Sequence, residues 1–290
     1  MTIAFIGLGE VGSTYSKGLA KNGAKVKGYD LKFKEGTGKE AFAACAEAGV
    51  ELVDGPEQLF ADSDVIFAVT SCVQAIETAE MYKSVMKKGQ LYLEMNSAIP
   101  SVKKDVKKFI GDSCDVVDGA TLCSPSQFGV ATPIVMSGPR AKDAADILNG
   151  YGMKIECLGQ DIGQASAFKV IRSIFTKSLE SCLIESLHAA RKYGIADVIF
   201  KSIVDFLAGE PTDETLALMV KTDVVHAKRR GDEIGEIAEM LAAEGLDNNM
   251  ASAATKKLYW LSSIGLKEKF HGKTAANMYD VLDALLEIQG

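Results

Sequence analysis

Six residues near the start of the chain restrict its fold more than any others: Gly7-Leu8-Gly9-Glu10-Val11-Gly12. They fit the pattern G-x-G-x-x-G. They follow directly on the apolar run 3–6 (Ile-Ala-Phe-Ile) and open a stretch, 11–22, whose apolar residues recur at helical spacing. Such a pattern alone would be weak. Here the next strand-like run, 25–29, closes on an acid, Asp30, 18 residues beyond Gly12. Strand, glycine turn, helix, strand and acid together form the fingerprint of a βαβ unit that holds a dinucleotide.

Each part has a mechanical reason. Gly7 permits the tight turn, Gly9 lets the backbone approach a pyrophosphate, and Gly12 lets helix pack closely on strand. The pyrophosphate then meets free N–H groups at the positive end of a helix, so Leu8, Glu10 and Val11 join the glycines as cofactor-binding candidates. Asp30 would accept hydrogen bonds from the adenosine ribose. A 2′-phosphate would face its negative charge, which favours NAD. Lys32 and Lys34, either able to pair with such a phosphate, keep NADP open.

Further strand candidates lie at 65–69, 91–94, 116–118, 133–137 and 153–157, alternating with helical stretches. That alternation predicts a mostly parallel, doubly wound α/β sheet, a Rossmann domain, over 1–162. From 163 the period changes. Residues 164–193 lack Gly and Pro and carry helical spacing, and the remainder reads as helices broken at Gly194, Gly209-Glu210-Pro211, Gly231 (weakly), Gly245 and Gly265. The expected second domain, 163–290, is all α.

Bulk properties narrow the partners. With 290 residues, 47% of them hydrophobic, there is enough chain for two domains. A net charge of −7 argues against nucleic acid, although a few local cations can still bind a small anion. Three histidines without H-x-x-x-H spacing give a zinc or iron site little support. The six cysteines form no C-x-x-C pair and read as reduced thiols. No apolar run is long enough for a membrane span, and Met1-Thr2 runs straight into a strand, leaving no room for a targeting peptide. A cytoplasmic enzyme is expected.

Within 163–177, Lys169, Arg172, Ser173 and Thr176 share one face of an otherwise apolar helix. A lysine turned from that face into a cleft would be partly desolvated, its pKa lowered towards the range where it exchanges protons. A lysine that reaches out to solvent is the other reading of the same residue. Further on, His226, Arg229, Arg230 and Glu233 fall on one side of a helix. Arg229 or Arg230 could hold a carboxylate or phosphate, or simply pair with Glu233 on a solvated face.

The G-L-G-x-V-G turn, the acid after the second strand and a Gly-x-x-x-x-x-Lys helix after the Rossmann domain resemble the β-hydroxyacid dehydrogenase superfamily. That superfamily includes 3-hydroxyisobutyrate, tartronate semialdehyde and 6-phosphogluconate dehydrogenases. The likeness covers the chain and is greatest to a phosphogluconate-dehydrogenase-like branch with K-x-x-R-S-x-x-x-K and H-A-x-R-R, present here from Lys169 to Lys177 and from His226 to Arg230. The resemblance implies an NAD(P)-dependent 3-hydroxyacid-type dehydrogenase with Lys169 as general acid/base. It implies a small anionic hydroxy or oxo acid as substrate, and a homodimer.

It also implies that Val69, Thr70 and Asn96 border the nicotinamide and its ribose, with Ser97, Ser124, Ser173, His226 and Arg229 towards the substrate. Capping of their own loops is the plainer reading for Thr70 and Asn96. Two departures bear on the substrate. The D-x-P-V-S-G-G loop of better-known members is here Asp118-Gly-Ala-Thr-Leu-Cys-Ser-Pro125, without the paired glycines. The asparagine they carry four residues after the lysine is Ser173. Ser124, Ser126 and Gln127 are candidates to replace the lost contacts. An imine or other carbonyl reductase on the same scaffold, or a non-catalytic NAD(H) sensor, are the alternative functions.

Overall fold

The computed structural model describes residues 1–34, 37–208 and 212–289, the side chains of Phe33, Lys34, Cys72 and Gln289 excepted. The break expected at Gly209-Glu210-Pro211 and the Lys34 side chain therefore lie outside the described residues. The chain divides into two compact units, Met1–Ser173 and Ile174–Gly290.

Among the described residues, the first unit is built on eight strands: β1 Thr2–Ile6, β2 Lys25–Tyr29, β3 Glu51–Leu52, β4 Val65–Ala68, β5 Leu91–Glu94, β6 Asp115–Thr121, β7 Pro133–Ser137 and β8 Lys154–Gly159. They form one sheet in the order β3-β2-β1-β4-β5-β6-β7-β8. Every pairing is parallel except β6 with β7. This is the doubly wound α/β sheet expected from the sequence. The two-residue β3 was not predicted, because Glu51-Leu52 is too short to show a period.

The strands read as continuous apolar runs because both faces of the sheet are covered. Alternate residues enter different cores: Ile3, Phe5, Val65, Phe67 and Leu93 pack on one face, Ala4, Ile6, Ile66, Ala68 and Tyr92 on the other. Phe5 and Phe67 stack at 4.6 Å across the β1–β4 pair. Chain order runs outward from β1 to β3, then resumes at β4 on the other side of β1. The carboxyl ends of β1 and β4 thus meet at the switch point where sheets of this kind bind ligands.

The long helix predicted after residue 163 is Gln164–Lys192. Its first ten residues belong to the compact Met1–Ser173 unit, so that unit extends past the change of sequence period at 162/163. The second unit contains helices Ala196–Ala208, Thr212–Ala243, Asn249–Ser263 and Met278–Gln289. Small apolar cores join the last three of these, one around Val224, Ala275 and Val281 and one around Ala238, Leu241 and Ala251.

Gly231 does not break a helix. It lies inside Thr212–Ala243, and a Cβ there would stand 2.8 Å from the Tyr259 ring. The glycine admits the neighbouring helix, whose Tyr259 hydroxyl donates to Asp232 at 2.9 Å. Close approach explains this glycine, where chain termination does not.

Candidate active site

The glycine turn is made of backbone that side chains would block. Gly7 has φ of +96°, and a Cβ on it would lie 2.6 Å from the Val69 carbonyl oxygen at the end of β4. A Cβ on Gly12 would lie 2.0 Å from the Gly7 carbonyl oxygen. Gly9, in contrast, faces open space and stands as N-cap of helix Glu10–Lys21, with no side chain capping the first turn. Uncapped N–H groups at a helix start, left bare on the open side, suit a diphosphate.

Asp30 is held by two backbone N–H groups. Its Oδ2 accepts the Leu8 N–H at 2.8 Å and its Oδ1 accepts the Lys32 N–H at 2.9 Å. The carboxylate therefore ties the glycine turn to the end of β2, while each oxygen retains a further lone pair for a ribose hydroxyl. A cleft of about 330 Å³ opens there, bordered by Gly7, Gly9, Asp30, Lys32, Thr70 and Tyr82. Burial, with Tyr29 and Asp30 nearby, pushes the Tyr82 phenol up to about 12, so it stays protonated.

Beyond β4 and β5 the expected nicotinamide-side residues come together. Asn96 Nδ2 donates to Thr70 Oγ1 at 3.3 Å, and Thr70 Oγ1 lies 3.2 Å from the Thr78 hydroxyl. The Asn96 N–H donates to the Glu94 carboxylate at 3.2 Å, which shapes the turn that presents Ser97. Lys169 Nζ then donates to Ser97 Oγ at 2.7 Å. Burial first, and the charge of Lys103 second, hold the Lys169 ammonium below the usual lysine range. This is a half-buried amine on a hydroxyl, inclined to give up its proton.

Other candidates are placed as follows. Arg172 donates to the Leu122 carbonyl at 3.0 Å, which pins the strand-following segment 122–124 to the Lys169 helix. Ser124 Oγ donates to Glu10 Oε1 at 3.2 Å and lies 2.8 Å from Ser126 Oγ. Ser173 turns back onto its own helix, donating to the Lys169 carbonyl at 2.8 Å. In the second unit His226 is half-buried, and the cations after it are paired along their own helix: Lys228 with Asp232, Arg229 with Glu233, Arg230 with Asp223.

One buried charged residue, Lys103, escaped the sequence reading. Lys103 sits on helix Pro100–Ile110 and contacts both Glu94 and Asp118, with 1%, 1% and 0% of the three residues exposed. Asp118 Oδ2 in turn accepts the Gly163 and Ser166 N–H groups at 3.0 Å and the Ser166 hydroxyl at 2.9 Å, capping the Lys169 helix. One signal existed: Lys103, Val106 and Ile110 share the apolar face of their helix, where a lysine is out of place.

A Rossmann sheet with a bare glycine turn, an acid at the end of β2 and a half-buried lysine is the scaffold expected of a dinucleotide-dependent oxidoreductase. Residues 2–159, more than half of the chain, match the family described as the NAD binding domain of 6-phosphogluconate dehydrogenase, and residues 190–261 match a domain of unknown function, DUF1932. The chain belongs to that NAD-binding family and, with it, to the β-hydroxyacid dehydrogenase superfamily of NAD(P)-dependent oxidoreductases.

It is 29% identical over 262 residues to an uncharacterised 28.5 kDa protein of Methanothermus fervidus, covering 89% of this chain and 98% of that one. It is 25% identical over 217 residues to 2-(hydroxymethyl)glutarate dehydrogenase of Eubacterium barkeri, covering 71% and 69%. An imine reductase from Aspergillus terreus shares the fold with a TM-score of 0.77 over 98% of both chains, at 13% identity.

Proposed function

We propose that the chain moves hydride between a small hydroxy acid and NAD, with Lys169 as the group that takes the hydroxyl proton in oxidation and returns it in reduction. The observation that carries this reading is the 2.7 Å contact between Lys169 Nζ and Ser97 Oγ, made by a lysine whose proton burial has loosened. A general base must release its proton, and desolvation moves an amine in that direction. Ser97 would pass or orient the same hydroxyl, while Thr70 and Asn96 would fix the ribose side. The nicotinamide supplies the hydride acceptor or donor. Asp30, with a lone pair left on each oxygen, favours NAD over NADP at the adenosine end.

The relative from Eubacterium barkeri acts on 2-(hydroxymethyl)glutarate, a branched hydroxy acid, and this directs the choice of substrates. The test is a panel of 2- and 3-hydroxy acids, their oxo partners and cyclic imines, with NAD(H) and NADP(H), followed by absorbance at the reduced-nicotinamide band. Turnover of hydroxy acids that falls by about two decades in Lys169→Ala, with dinucleotide Kd within about twofold, is expected. Unchanged kcat in that variant removes Lys169 from the reaction. Imines turned over in preference to every acid would favour the imine reductase alternative.

We further propose that the helical unit forms a homodimer. Its Ala196–Ala208 helix leaves Val198, Phe200, Val204, Phe206 and Leu207 all exposed, more apolar surface than one helix of a monomer usually shows to water. Sedimentation equilibrium at micromolar concentration should give about twice the chain mass, and a monomer would end this part of the reading.

A further inference from the structure

We propose that Lys103 is a positioning residue for the Ser97–Lys169 pair, its buried ammonium joining the carboxylate that shapes the Ser97 turn to the carboxylate that caps the Lys169 helix. This rests on the reading of Lys169 as the proton-transfer group. Ser97 and Lys169 are 72 residues apart in sequence, and each is presented by a different buried acid. Glu94 accepts from the Asn96 N–H, one residue before Ser97. Asp118 accepts from Gly163 N–H, Ser166 N–H and Ser166 Oγ, one turn before Lys169.

A shared cation offsets the cost of burying two such acids side by side. Lys103 Nζ contacts Glu94 Oε2 and lies 3.4 Å from Asp118 Oδ1, and donates to the Glu94 and Gly119 carbonyls at 2.7 and 3.2 Å. Those two carboxylate oxygens, both buried, have Lys103 as their charged neighbour and no other hydrogen-bond donor among the described residues. Asp118 accepts four hydrogen bonds on its other oxygen. Glu94, with fewer donors, is pushed up by burial and drawn back by Lys103.

The same cation acts on the amine it helps to place. Lys103 is the charged neighbour that lowers the Lys169 pKa after burial itself. Of the other charged groups nearby, Glu94 on β5 and Asp118 on β6 are both engaged by Lys103, and Arg172 of the lysine's own helix donates to the Leu122 carbonyl. Loss of Lys103 therefore raises the Lys169 pKa twice over. The opposing charge goes, and a loosened Lys169 reaches water.

The experiment needs no substrate. Acetic anhydride labels only the neutral amine, so acetylation of Lys169 against pH, read by mass spectrometry of its peptide, gives the midpoint directly. In the full-length protein, Lys103→Met should raise that midpoint by roughly half a unit or more. Lys103→Met with Glu94→Gln, which does not strand a second buried acid, should raise it too and covers the case in which the single variant fails to fold. A folded variant of either kind with the wild-type midpoint overturns the proposal. Lys169→Met separates the two readings. Full turnover in that variant sinks the role of Lys169, whereas lost turnover with an unmoved midpoint in the Lys103 variants sinks only the role of Lys103.

Discussion

The glycine turn at 7–12 and the Ser97–Lys169 corner lie in the same compact unit, yet they are made in opposite ways. The turn is backbone: a left-handed glycine, an uncapped helix start and one carboxylate, Asp30, fastened to two N–H groups. The corner is side chain on side chain, and its geometry passes through three charged residues with almost no contact with water. A site of the first kind is fixed by spacing within thirty or so residues. A site of the second kind is fixed by packing across the fold, so it should fail differently when disturbed.

The largest effect is expected at the turn. Gly12→Ala puts a methyl group 2.0 Å from a backbone oxygen that has no flexible end to swing aside. Destabilisation of about 4 kcal/mol or more, measured by denaturant midpoint, should come with loss of NAD(H) binding by calorimetry. An alanine variant that folds and binds normally would mean that helix and strand are not packed as closely as this contact requires.

At the corner the corresponding disturbance is electrical. Lys103→Met leaves two buried carboxylates without a cation, which should cost about 3 kcal/mol or more, while adding Glu94→Gln returns most of it. Dinucleotide affinity should fall less in the double variant than in Gly12→Ala, since neither residue borders the glycine turn. Equal losses in single and double variants would show that the lysine stem, and not its charge, is what matters at this position.

The pH dependence sharpens the contrast, because the turn holds no titrating group that the reaction consumes. Burial and Lys103 place the Lys169 pKa below the ordinary lysine value of about 10.4. If Lys169 is the proposed proton-transfer group, oxidation uses the neutral amine, so kcat in that direction should rise with pH and level off at a midpoint below about 10.4. Reduction uses the ammonium and should fall through the same midpoint. Both limbs should disappear in Lys169→Ala, and a midpoint at or above the ordinary value would contradict the desolvated setting. The stability sign follows as well. Folding disfavours the charged lysine, so its penalty is present below the lowered pKa and fades as pH rises through the unfolded value.

The same contrast explains what could be read from the sequence. The sheet, the glycine turn and Asp30 were legible because each is a local period or a short spacing. Lys169 was legible as a cation interrupting an apolar face. Its partner Ser97 was named through the resemblance, but nothing in the spacing says that the two meet. Lys103 was missed because lysine at an apolar position is read as a solvent-reaching stem, and only the fold brings Glu94 and Asp118 to it. Gly231 was read as a weak helix break for a related reason. The Tyr259 ring that demands a glycine there lies 28 residues away.

The smallest effect is expected at a residue the sequence had raised as an anion anchor. Arg229 is exposed and pairs with Glu233 one turn along its own helix, an arrangement worth about 0.3–0.5 kcal/mol in water and weakened by salt. Arg229→Ala should therefore shift the denaturant midpoint barely at all and leave NAD(H) affinity unchanged. The informative measurement is KM for the acid that the panel identifies. A KM within about twofold of wild type leaves Arg229 as part of a solvated face. A rise of tenfold or more, with kcat kept, would mean that the guanidinium leaves Glu233 for the substrate carboxylate, since lost uniform binding shows in KM alone. That outcome would place an anion anchor on the helix that carries Arg229.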